Sequence, residues 1–181
     1  MFEYVEFLDR LFFSFLNNFD FSSIMFLAFF SYYYFYLIFL VFSLYFYFFE
    51  QNKSILSLLI LLSLIGFSTI YILKYTIKRE RYEGSIIQKI DYSFPSSHSY
   101  FATLLILFSI YFVRVPYLKY PIILFSIFEF FSILVLRVHY MSDVIFSIIL
   151  AVFFFYLFNN YKILDKLLQI LRLIKNKILS D

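Results

Sequence analysis

Four stretches of this chain carry no charged side chain, and each is about as long as a membrane span: Phe21 to Phe49, Ser54 to Leu73, Tyr92 to Val113 and Val144 to Tyr161. Crossing a hydrocarbon core takes roughly 18 or more apolar residues in a helix, because in lipid each backbone N–H and C=O has to be satisfied within the segment. A fifth stretch, Tyr120 to Leu136, is broken only by Glu129. The 181 residues are 64% hydrophobic and 27% aromatic, with two glycines and three prolines, which makes the bilayer the solvent for most of the chain. The expected fold is therefore all-α, a polytopic membrane helix bundle with about five transmembrane helices at 22–49, 54–74, 97–113, 120–138 and 143–160.

The two ends read differently. Residues 1–20 mix apolar side chains with Glu3, Glu6, Asp9, Arg10, Asn17 and Asn18, the pattern of a helix lying in the membrane interface. The acidic residues stand where a signal peptide would be positive, so this segment is read as part of the mature protein. From 161 to 181, Lys162, Lys166, Arg172, Lys175 and Lys177 alternate with leucines and isoleucines at helical spacing, as in a helix on an anionic membrane surface. With the bundle over 22–160, the chain is one membrane-embedded domain. The absence of cysteine excludes disulfides, thiol nucleophiles and cysteine-ligated metals. A net charge of +3 is too small to argue for nucleic acid.

Five spans put the link after the second span, the turn after the fourth and the N-terminus on one side. The other side receives Lys53, Arg114, Lys119 and the basic tail, and positive flanks favour the cytoplasm. The long link Tyr75 to Ser96, the main candidate for extramembrane machinery, then faces outward.

Most of the chemistry-bearing residues fall in three short segments on that side. In Lys74 to Tyr82, Lys74 and Arg81 are seven apart, which in a continued helix lets them hold an anion from two directions, with Arg79 in support. In Pro95 to His98, a helix start, His98 and the hydroxyls of Ser96 and Ser97 lie in the first turn, where free amides and the helix dipole favour phosphate. In Ser132 to Asp143, His139 and Asp143 are four apart, one helical turn, so the carboxylate can bond one imidazole nitrogen and leave the other basic. Each segment alone has a plainer reading, as a headgroup collar, a helix cap and a structural pair. Together they converge on one anion-friendly face, where titratable groups are costly to hold. Glu129 reads as a neutral acid hydrogen-bonded inside the bundle.

These segments resemble the three motifs of the type-2 phosphatidic acid phosphatase family, whose site is shared with vanadium haloperoxidases. Lys74 and Arg81 match the first, with Tyr82 in place of a proline; Pro95, Ser96 and His98 match the second, with Ser97 in place of glycine. Ser132, His139 and Asp143 match the third, but Ile133 stands where the family has an arginine that contacts phosphate. The resemblance implies a metal-independent phosphatase with no cofactor, acting on a lipid phosphate such as an isoprenyl diphosphate, phosphatidate or phosphatidylglycerophosphate. It implies His139 as nucleophile forming a phosphohistidine, Asp143 as its orienting partner and His98 as general acid. Lys74, Arg81, Ser96 and Ser97 would bind phosphate, with Arg79, Ser132 and Glu129 as possible support. The alternatives are phosphotransfer to a second lipid and, because of Ile133, a degenerate homologue that binds phospholipid without turnover.

Overall fold

The computed structural model describes residues 2–48 and 53–159; the expected basic tail at 161–181 lies outside the described residues. The described chain forms α1 (Phe2–Leu16), α2 (Ser22–Phe48), α3 (Lys53–Ile77), α4 (Ser97–Phe112), α5 (Pro116–Val135) and α6 (Met141–Asn159). Among the described residues there is no strand. Four of these helices, α2, α3, α5 and α6, are long and apolar enough to cross a membrane, and this is an integral membrane protein.

The expected third span is the exception. At 16 residues α4 rises only about 24 Å, less than a hydrocarbon core. Its bounds nonetheless agree with the expected 97–113, and Tyr92 to Pro95 belong to the long loop, as the expected link Tyr75 to Ser96 has it. Pro95 disfavours helical geometry at the residue before it, and Ser96 is the N-cap, with its Oγ accepting from the Ser99 amide. Most α4 side chains are buried, and the helix packs on α3, α5 and α6 as the centre of the bundle. Tyr100 fixes one contact: its ring is fully buried, its hydroxyl donates to the Leu62 carbonyl at 2.8 Å, and a Cβ at Gly66 would lie 2.1 Å from the ring. Only glycine lets α3 pass that close.

The fourth span is shifted, running from Pro116 to Val135 rather than 120–138. Pro116 suits the first helical position, where no N–H is needed. The early stop comes from a Schellman turn. Arg137 takes a left-handed φ of 55°, its amide donates to the Leu134 carbonyl at 3.0 Å, and the Val138 amide donates to the Ile133 carbonyl at 3.1 Å.

Along α2, Ala28, Tyr32, Phe35 and Phe42 are buried at helical spacing, while Phe26, Tyr33, Leu37 and Val41 face outward. An apolar exterior of this extent would aggregate in water and is ordinary in lipid. On α1, Asp9, Phe13 and Leu16 turn inward, and Phe7, Leu11 and Phe15 form an exposed apolar stripe. The N-terminal helix therefore meets the bundle at the end that carries the long loop and the α5–α6 turn.

Candidate active site at one end of the bundle

Each of the three motif segments reaches the same end of the bundle by its own local device. The second enters on the first turn of α4. Ser96 is fully buried; its hydroxyl caps the helix and its amide donates to Ser147 Oγ on α6 at 2.8 Å. Ser97 accepts from the Tyr36 hydroxyl at 3.0 Å. The Ser97 and His98 amides precede the first intrahelical bond, so they have no acceptor within α4. His98 is 2% exposed, and its ring stacks on Tyr32 with centroids 4.4 Å apart.

The third motif departs from the helical turn expected of it. The Schellman turn ends α5 before His139, which lies in the α5–α6 connection, while Asp143 is in the first turn of α6. The pair still forms, with His139 Nδ1 3.6 Å from Asp143 Oδ2. Asp143 is held firmly. Its Oδ2 accepts from the Tyr140 amide at 3.0 Å, as the returning arm of a capping box, and its Oδ1 accepts from Arg79 at 2.7 Å. The remaining cap of α6 comes from α1: Asp9 accepts from the Ser142 amide at 3.0 Å and from Arg79 at 2.7 Å. Two carboxylates thus flank one guanidinium at a helix N-terminus, where negative charge is favoured. Arg79 also lies 4.0 Å from the centroid of the Tyr140 ring.

Burial holds the His139 imidazole down to about 4; the nearby Asp143 carboxylate opposes this, and the positive charge of Arg81 and Lys74 adds to it. The ring is neutral at neutral pH, the state a nitrogen nucleophile needs. The unfolded chain takes up this proton near 6.5, the folded chain only near 4, so the stability gained is complete above 6.5 and falls as pH drops through that window. Thermal unfolding in detergent is expected to show the midpoint decreasing from pH 7 to pH 4, with a shallower decrease in His139→Ala.

The first motif also departs from a continued helix, because Lys78 takes a φ of 54° and ends α3. Lys74 remains on the helix and Arg81 is in the loop, yet both converge on Asp91. Lys74 Nζ is 2.9 Å from one carboxylate oxygen and Arg81 Nη2 2.7 Å from the other. Burial works against this carboxylate's charge, but the two cations hold it down to about 2. Arg81 also donates to the Val138 carbonyl, next to His139. The two cations expected to bind phosphate are thus together, sharing one internal carboxylate that is 39% exposed.

Neither Asp91 nor Asp9 was singled out from the sequence. Both act across the tertiary structure, Asp9 from the interfacial helix α1 and Asp91 from the long loop, and neither belongs to a motif. Ser132 donates to the Phe128 carbonyl of its own helix, and Arg137 donates to Asn17, away from His139. Ile133 is fully buried in an apolar cluster with Tyr32, Ile87 and Val138. Glu129 is fully buried, accepting from the Ser31 hydroxyl on α2. Among the described residues, no group of three or more His, Cys, Asp or Glu side chains is placed to hold a metal ion.

A cleft of about 1410 Å³ opens beside this constellation, between α1 and the loop. Arg10, Arg79 and Arg81 line it together with the apolar side chains of Val5, Ile77 and Phe146. Glu6, Glu80 and Glu83 line it as well, so its charge is mixed.

Searches of curated proteins and of solved structures found no match. The model of the PAP2 superfamily matches residues 72–163, just over half of the chain and a range that contains all three motif segments. The chain belongs to the PAP2 superfamily, as an integral membrane member of a family of phosphatases.

Proposed function

We propose that this protein hydrolyses a phosphomonoester or diphosphate of an amphiphilic lipid through a phosphohistidine on His139. The observation that carries the reading is the neutral, buried His139 paired with a doubly anchored Asp143, beside the paired cations Lys74 and Arg81. The free nitrogen of His139 attacks phosphorus, forming N–P while the bond to the leaving oxygen breaks. His98 supplies the proton that oxygen needs. Water then attacks phosphorus, gives a proton back to His98, and the N–P bond breaks to release inorganic phosphate. Lys74 and Arg81 exchange Asp91 for the phosphoryl oxygens, and the Ser97 and His98 amides add donors as negative charge develops. The reaction needs no metal. Apo catalytic contacts are often long, so the 3.6 Å between His139 and Asp143 fits a bond that tightens on substrate.

The substrate keeps its tail in the bilayer; isoprenyl diphosphate, phosphatidate and phosphatidylglycerophosphate all satisfy the chemistry. The positive flanks Arg114 and Lys119 lie at the opposite, α4–α5 end, which argues for an extracytoplasmic site, with α1 lying in the interface above it. A quenched reaction with labelled lipid tests the intermediate. Acid-labile, alkali-stable label on the wild type and none on His139→Ala is expected; turnover without label would mean that water attacks phosphorus directly.

Ile133 and Asp91 favour a second reading, a homologue that binds phospholipid without turnover. A missing phosphate contact can cost on the order of a hundredfold in rate, and the internal carboxylate competes for the remaining cations. Ile133→Arg separates the two. Under the phosphatase reading it raises phosphate release while lowering thermal stability, since overpacking the apolar cluster alone costs about 1–3 kcal/mol and the buried charge adds to that. Lower activity in a folded protein would contradict the motif alignment, and no activity in either protein would favour the binding reading.

A further inference from the structure

Glu129 sits in the C-terminal half of α5 with no exposure, where a carboxyl group is costly unless its oxygens are satisfied. Ser31 satisfies Oε2. The other oxygen, Oε1, has no hydrogen-bond partner, and it lies 4.0 Å from His98 Nε2, which has none either. The two are chemical complements, since one can donate and one accept; the Tyr32 backbone, which favours a protonated His98, also lies by the ring. The other titratable groups around the pair are Tyr32 and Tyr36 of α2, Lys89, Arg81 and Asp91 of the long loop, and His139, close enough for its charge to be felt at His98. No side chain among them hydrogen-bonds Oε1 or either ring nitrogen of His98.

We propose that Glu129 is the positioning residue of His98, sharing one proton with Nε2 across a gap that closes by a small side-chain rotation, and supplying the counter-charge that lets a buried imidazole carry the proton for the leaving group. The proposal rests on the phosphatase reading. An imidazolium inside a bundle is tenable when a carboxylate is adjacent, and a carboxylate there is tenable when an imidazolium is adjacent; the pair as a whole then keeps a constant charge as the proton moves. This arrangement parallels the one at His139, where Asp143 faces the ring. The two differ in their supports: Asp143 is anchored by Arg79, so it stays ionised beside a nucleophile, whereas Glu129 has only a neutral hydroxyl and can take or give the proton.

The chain has two histidines, so imidazole ¹⁵N spectra of the detergent-solubilised protein contain two ring systems, assigned with His139→Ala. In Glu129→Gln the His98 titration midpoint is expected to fall by about one unit or more, with His139 unchanged. Turnover of a lipid phosphate, with its poor alkoxide leaving group, should fall by roughly tenfold or more, while turnover of an aryl phosphate changes little. A merely structural glutamate would lower both substrates alike. Ser31→Ala serves as a second variant, because Ser31 bonds Glu129 and makes no hydrogen bond to His98. It should move the His98 signals and leave those of His139 in place. Unmoved His98 signals in either folded variant, or equal losses on the two substrates, would overturn the proposal. Absence of turnover in the wild type would instead count against the phosphatase reading, and the spectra would still decide whether Glu129 and His98 share a proton.

Discussion

His139→Ala is expected to reduce phosphate release by on the order of a thousandfold or more, with little loss of folding stability at neutral pH. The ring is 2% exposed and the pair with Asp143 is long at 3.6 Å, so its removal takes away the attacking nitrogen without breaking a strong structural bond. Asp143 keeps its bonds from Arg79 and the Tyr140 amide in the variant. Phosphate release and thermal unfolding measured on the same preparation check this. A variant that folds and turns over at a tenth of the wild-type rate would remove His139 from the role of nucleophile.

Arg79→Ala is expected to have the largest structural effect. The guanidinium is the shared partner of Asp9, 3% exposed, and Asp143, fully buried, and through Asp9 it joins α1 to the start of α6. Removing it leaves two buried carboxylates without their counter-charge, which costs about 3–5 kcal/mol where one partner of a buried pair is lost. For a chain of this size that corresponds to a midpoint lower by roughly 10 °C or more. Asp143 would also lose the contact that fixes it beside His139, so activity falls with stability. Asp9→Asn in the Arg79→Ala background should recover part of the stability by removing one orphaned charge. An Arg79→Ala protein as stable as the wild type would show that the three-group bridge contributes little.

The helices were legible because lipid forbids charge over a span's length, and the charge-free stretches map onto α2, α3 and α6 within a few residues. What blurred the rest was local backbone chemistry that hydropathy does not register. Left-handed Arg137 ends α5 early, so that His139 approaches from a turn, whereas the start of α4 at the Ser96 cap was legible in Pro95 to His98. Left-handed Lys78 likewise breaks the helix that was to align Lys74 with Arg81. The motif residues nonetheless come to one end of the bundle, because the loops between the helices and not any one helix bring them there. Asp9 and Asp91 were illegible for the converse reason: an acidic residue on an interfacial helix or in an irregular loop reads as solvated until tertiary structure brings it to a cation.

The most direct test of the account is phosphate release by detergent-purified protein, with EDTA present, from isoprenyl diphosphate, phosphatidate and phosphatidylglycerophosphate, with His139→Ala beside it. The account predicts release from at least one of these lipids that persists in EDTA and disappears in the variant. Equal release from both proteins, or release that EDTA abolishes, would contradict a metal-independent phosphatase built on His139.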